Sequence, residues 1–195
     1  MAIPLSSRFV KMSDEDFFLF CQEMRDYHIE RKADGTILIM EPSGSESGHF
    51  DLIVGSELNN WTRERKNGVA FGSSTGFTLP NKAVRSPDAS WIAIEKWKAL
   101  PKEDRKRFAH ISPDFVIEVR SETDSLSSLQ EKMKEYIGNG VRLAWLIDPQ
   151  RETVWIYRKD GSVDEVTSFD QVLSGEDVLE GFALTLSEFW PLEDL

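Results

Sequence analysis

Apolar positions recur along this chain with two periods, helical and alternating, and the switches between them predict the elements. Ser13 is a hydroxyl N-cap followed by acidic residues, so a first helix runs from there to about Arg25. HIERKADGTILIM then alternates around Asp34-Gly35 and reads as a β-hairpin. From Gly44 to about Lys66 the period becomes helical, with Phe50, Ile53, Val54, Leu58 and Trp61 on one stripe, and Gly68 ends the segment. VAFG and GFTLP are two short strands around a tight turn, and DASWIAI is another strand. PDFVIEVR, residues 113–120, sets Phe115, Ile117 and Val119 on one face and Asp114, Val116, Glu118 and Arg120 on the other. SLSSLQEKMKEYIGNG carries a helical stripe of Leu126, Leu129, Met133, Tyr136 and Ile137, closed by Gly138 or Gly140. RLAWLID follows as a buried strand, which completes a βαβ unit with parallel strands and a right-handed crossover. RETVWIYR is antiparallel to it, because Asp148-Pro149-Gln150 is too short for a crossover. Beyond Gln171 the pattern is irregular, with room for one short last helix. The expected fold is α/β, a mixed sheet with helices on its faces, preceded by a helix and a hairpin.

Composition narrows this picture in a few places. A length of 195 residues fits a single domain spanning 1–195, and the lone Cys21 permits no internal disulfide, which points to a reducing, cytoplasmic setting. No apolar run reaches membrane-spanning length, and the opening residues lack a signal peptide's apolar segment. The formal net charge of -11 argues against non-specific DNA binding, since phosphate affinity comes mostly from Lys and Arg. The charge is uneven, however. Residues 95–108 place Lys96, Lys98, Lys102, Arg105, Lys106 and Arg107 against Glu95, Glu103 and Asp104. That run is either a solvated, salt-bridged helical hairpin or a contact surface for a duplex, together with Arg63, Arg65 and Lys66.

The polar residues that the layout turns inward carry the candidate chemistry. Asp88 starts one strand after Pro87, and Glu118 lies in the middle of the next. If the two strands pair, two carboxylates project together, a donor set suited to Mg²⁺ or Mn²⁺ with water completing the shell. Such an ion activates water and stabilises charge on a phosphoryl group. Lys132 stands at the edge of the next helix's apolar stripe, so its ammonium reaches toward the sheet. Glu46 opens the long helix four residues before Phe50 and is either a third carboxylate of the site or the closing member of a capping box. Plainer readings exist for the others too: Asp88 as a turn cap, Glu118 with Arg120 as a structural ion pair, Lys132 as an exposed helix lysine. All four charges together on one sheet face are costly without a purpose.

RSPDASWI, PDFVIEVRSETDSL and LQEKMKEYIGNGVRLAWLIDPQ together resemble the PD-(D/E)XK nuclease superfamily and, more closely, the Uma-two family of restriction-endonuclease-like proteins. PSGSESG before the long helix and FGSSTGFTLPN after it stand in that family's order, and the resemblance covers about residues 30–185, leaving 1–29 as an N-terminal helical extension. It implies a restriction-endonuclease-like fold and Mg²⁺-dependent hydrolysis of a phosphodiester in double-stranded DNA, by a homodimer. Residue by residue, Asp88 stands for the family's PD aspartate, Glu118 for its (D/E) position and Glu46 for its early helical glutamate. Glu118-Val119-Arg120 departs from the superfamily pattern, with Arg where a Lys is usual. Arg keeps the charge but is no acid or base. Lys132 fits the place of members whose lysine has moved to the next helix, which leaves Arg120 as an accessory charge near the phosphate.

Two other signals lose to context. Residues 72–76 match G-x-S-x-G, but the strand-like GFTLP follows where that nucleophile turn needs a helix. His28, His49 and His110 with one cysteine make no zinc spacing. Two alternatives stay open beside the nuclease: a catalytically inactive nuclease-fold binding module, which the missing E-x-K lysine favours, and a metal-dependent hydrolase of small phosphoesters, which suits the acidic charge.

Overall fold

The computed structural model describes residues 3–6 and 11–189. After β1 (Ile3–Leu5), α1 (Asp14–Glu23) opens on Ser13, whose hydroxyl accepts the Asp16 amide while the Asp16 carboxylate returns a bond to the Ser13 amide. This reciprocal pair satisfies two of the four amides a helix start leaves free. β2 (His28–Arg31) and β3 (Ile37–Met40) form the expected antiparallel hairpin. α2 (Ser45–Arg65) buries Phe50, Val54, Leu58 and Trp61, the predicted stripe, together with Thr62.

β4 (Gly68–Gly72) and β5 (Phe77–Thr78) flank a turn closed by the Thr75 amide on the Gly72 carbonyl. They enter different sheets, so they are not a hairpin. Gly68 is held to hydrogen at Cα by its neighbour, because a Cβ there would lie 2.2 Å from the Trp91 ring. β6 (Val84–Arg85) and β7 (Ala89–Ala93) lead into α3 (Ile94–Ala99), a helical turn at residues 104–106 and β8 (Ala109–His110). The charged run is therefore a short helix and a turn, with Lys98–Glu95 and Lys106–Glu103 ion pairs in solvent. β9 (Phe115–Val119), α4 (Leu126–Gly138) and β10 (Leu143–Asp148) make the βαβ unit, with β9 and β10 parallel. Gly140, at φ +97°, takes the left-handed turn after α4 that favours glycine. β11 (Thr153–Arg158) is antiparallel to β10, and β12 (Val163–Val166) extends that edge. In the segment read as irregular, β13 (Val172–Ser174) and β14 (Ala183–Thr185) pair as a small hairpin before a last one-turn helix, 186–189.

The single mixed sheet of the sequence reading is therefore two. One runs β12-β11-β10-β9-β7-β4 and the other β1-β3-β2-β6-β5-β8. On one face of the first sheet α2 and the C-terminal hairpin cover Phe115, Ile117, Trp145 and Ile147; on the other α4 covers Val116, Ala144 and Leu146. The second sheet packs α1 through Phe17 against Ile29, Ile37 and Val84. No helix among the described residues is long and apolar enough to cross a membrane.

Candidate active site

β7 and β9 are antiparallel, with Ala89 opposite Ile117 and Ser90 opposite Val116. One step further in the same register, Asp88 stands opposite Glu118, on the face turned to α4. The Asp88 Oδ2 accepts the Val119 amide at 2.7 Å, which orients that carboxylate across the strand end. Glu118 is 4% exposed, at the point where the apolar strand passes into a cavity of about 860 Å³. The cavity wall includes Glu46, Asp51, Asp88, Glu118, Arg120 and Lys132, so the five residues singled out in the sequence surround one space.

They do not play equal parts in it. Lys132 reaches inward from α4 and places its Nζ 2.8 Å from Glu118 Oε1 and 2.9 Å from Oε2. One turn along α4, the Tyr136 hydroxyl donates to Glu118 Oε1 at 2.8 Å. Glu46 is exposed at the rim, and the helix start is capped by Gly44 without a side-chain bond, so the capping box considered for Glu46 does not form. Gly44, Ser45 and Ser47 at the start of α2 line the cavity instead, so the positive end of the helix dipole belongs to that wall. Arg120 shares the Glu118 face but turns sideways: its NH1 donates to Asp148 Oδ2 at 2.7 Å and its Nε to the Asp124 carbonyl at 3.1 Å. The Glu118–Arg120 ion pair is thus replaced by Arg120–Asp148. Asp114, drawn on the same face in the sequence, lies at the other strand end, where it binds Lys96 at 3.1 Å and the Ala93 amide at 2.9 Å.

Two acidic residues escaped the sequence reading. Glu30, on β2 of the second sheet, is 2% exposed and lies 2.9 Å from Lys132 Nζ and 2.9 Å from Arg85 NH1. Alternation in HIER puts Ile29 on the α1 side and so turns Glu30 the other way, the one local signal available. Asp51, next to Phe50 on α2, faces the cavity without any pattern to mark it.

Charge in this space is unbalanced toward the acids. Burial, then the neighbouring Glu118 and Asp51, hold the Asp88 carboxyl well above the usual range. Glu118 is also raised, by burial and by Glu30, against the lowering pull of Lys132 and Tyr136. Burial pushes Asp51 up to about 6. Glu30 goes the other way: burial opposes its charge, but Lys132 and Arg85 outweigh burial and bring it to about 2. Lys132 is held above its ordinary value, because Glu118 and Glu30 outweigh its burial. Tyr136 is raised strongly by burial and by Glu118, so its hydroxyl stays a donor.

Among the described residues Asp88 has no hydrogen bond other than that from Val119, which leaves Oδ1 without a donor there. A carboxylate has about four acceptor sites. Glu118 uses two on Oε1 and one on Oε2, so it retains one. Among the described residues no group of three or more His, Cys, Asp or Glu side chains is set to hold a metal ion, so the three-carboxylate arrangement that includes Glu46 is not assembled. Two opposed carboxylates with waters still fit a hard divalent cation, since Mg²⁺ commonly takes only one or two protein carboxylates.

Comparisons with known proteins agree with this architecture. The sequence model of the Uma2 family, described as putative restriction endonuclease, matches residues 14–187 and so takes in α1. The fold is similar to a crystal structure described as a putative nuclease of DUF820 from Anabaena variabilis ATCC 29413, with a TM-score of 0.74 over 92% of this chain and 98% of that one. At 21% identity that likeness speaks to the fold. No curated protein matches the chain.

Proposed function

The chain belongs to the Uma2 family, and from that membership and the cavity geometry we propose that it is a metal-dependent DNA endonuclease of the PD-(D/E)XK type. The observation that carries this reading is the opposition of Asp88 and Glu118 across β7 and β9, with the Lys132 ammonium on Glu118, in one cavity. Asp88 Oδ1 and the remaining Glu118 site would hold Mg²⁺ or Mn²⁺. Bound there, the ion supplies positive charge that polarises a phosphodiester and acidifies water.

The chain's own groups divide the rest of the work. Lys132, kept protonated between Glu118 and Glu30, is a fixed charge for the oxygens that become more negative during phosphoryl transfer, and not a proton acceptor. Tyr136 fixes the orientation of Glu118, and the Val119 amide that of Asp88. Asp51, raised to about 6, is the cavity-wall carboxylate suited to take a proton from attacking water near neutral pH. Arg120 and the α2 N-terminus offer positive sites for backbone phosphates, and Glu46 positions water at the rim. The run at 95–108 is the proposed outer contact with the duplex, and two copies of the chain would address its two strands.

Supercoiled plasmid incubated with the protein and Mg²⁺ or Mn²⁺ tests this. Nicking that disappears on chelation, in Asp88→Ala and in Glu118→Ala is the expected result. No cleavage of any DNA, with divalent-ion binding unchanged by either substitution, overturns it. One observation favours a second reading: Lys132 and Tyr136 already occupy three Glu118 acceptor positions, as they would in a nuclease-fold module that only binds. Calorimetric titration with Mn²⁺ separates the two, since the module takes up no ion.

A further inference from the structure

Lys132 is gripped from two sheets at once. Its Nζ contacts both Glu118 oxygens at 2.8 and 2.9 Å, and it lies 2.9 Å from Glu30 Oε1. The two acids are anchored very differently. Glu30 Oε1 also accepts the Ser86 amide at 2.9 Å, and Oε2 accepts Arg85 NH1 at 2.9 Å. Arg85 in turn is held by Glu135 at 2.6 Å, and Glu135 by Asn81 at 2.9 Å. Glu30 is therefore fixed by a charged and a backbone donor before Lys132 is counted. Among the described residues Glu118 has, besides Lys132, only the neutral Tyr136 hydroxyl.

An ion entering beside Glu118 meets that ammonium on the same oxygens. One Glu118 acceptor position is open, but the ammonium on the same carboxylate repels a dication placed there, so firm cation binding requires Lys132 to loosen its hold. A buried ammonium that loses one partner needs another within reach. Resting on the proposed metal site, we propose that Glu30 is a positioning residue that receives the Lys132 ammonium when Glu118 turns to a divalent cation, so that this exchange of partners sets the cation affinity. The anchoring favours that direction: Glu30 stays where it is, and Lys132, pivoting between carboxylates already in contact, needs no long movement. The ammonium also stays in the cavity, available to the phosphate, instead of being expelled with its charge.

Calorimetric titration with Mn²⁺ alone on the full chain, with thermal unfolding of each variant to establish folding, tests the exchange. Glu30→Gln keeps the shape and an oxygen for the Ser86 amide but offers the ammonium no charge. Mn²⁺ affinity then falls about ten- to hundredfold, the range for losing a group that orients a ligand. Lys132→Met removes the competitor and binds Mn²⁺ more tightly than the original chain. In the Lys132→Met background, Glu30→Gln has little further effect. An equal loss from Glu30→Gln with and without Lys132 means that Glu30 acts through its field alone, and overturns the exchange. So does unchanged affinity in Glu30→Gln, or weaker binding in Lys132→Met, which decides the matter even where Glu30→Gln does not fold. Absence of Mn²⁺ binding by the unmodified chain overturns the metal site itself, a result distinct from these.

Discussion

The two faces of β9 are equally buried and differently built. Toward α2 it presents Phe115, Ile117 and Val119 to Trp145, whose ring meets Phe115 edge-on at 4.8 Å and stacks on Phe182 at 5.8 Å. Toward α4 it presents Val116 and then Glu118, which enters a chain of charges running through Lys132, Glu30, Arg85 and Glu135. The aromatic face gains from burial in proportion to area, and any shape that fills it serves. The charged face gains little net stability, because desolvation offsets most of the attraction between its pairs. A fold that keeps such a face puts positions and protonation states above stability.

Breaking the apolar face has the largest expected effect on stability. Trp145→Ala removes a fully buried indole and destabilises the fold by about 3 to 5 kcal/mol, read from urea unfolding. Cleavage by the fraction still folded is unchanged, because Trp145 is not among the residues that line the cavity.

Next comes Asp88→Asn, whose two effects have opposite signs. Mn²⁺ binding disappears and cleavage falls by on the order of a thousandfold, equivalent to about 4 kcal/mol of lost charge stabilisation. The metal-free fold becomes more stable at pH 7. Asp88 has a folded pKa above its unfolded value, so its stability contribution is present at low pH and lost as pH rises through the folded pKa. The amide removes that loss and still accepts the Val119 amide. A decrease in stability would mean that the charged faces hold the fold together more than they serve the site.

Acid titration sharpens the comparison further. Glu30 is depressed to about 2 from an unfolded 4.5, so its contribution is present above 4.5 and lost as pH falls toward 2. Glu30→Gln therefore flattens the acid limb of stability against pH in that window, measured by chemical denaturation at stepped pH. Trp145→Ala lowers the whole curve without changing that slope. The smallest effect belongs to Glu46→Ala. An exposed rim carboxylate without a cap bond changes stability by about 0.5 kcal/mol or less, and cleavage drops only a few-fold.

Local pattern carried far in this molecule. The α2 and α4 stripes, the hairpin at Asp34-Gly35 and the βαβ unit are all readable because each depends on residues a few positions apart. Asp88 and Glu118 were legible for a related reason: a carboxylate at the end of one apolar strand and another in the middle of the next have few ways to be satisfied. Glu30 was not legible, since its partner Arg85 lies 55 residues away and its burial arises only where the two sheets meet. The same distance problem hid the parting of β4 and β5, whose turn looks like that of any hairpin while their pairing partners, β7 and β6, lie further along the chain.

The sequence by itself determined the periods, caps and turns, hence the elements and the inward carboxylates, because those are set by backbone geometry and burial within a few residues. Only the tertiary structure decided which charges meet. It gave Arg120 to Asp148, left Glu46 at the rim, and closed Lys132 between Glu118 and Glu30. Ion pairing falls off over ångströms in space and ignores separation along the chain, so no local pattern encodes it.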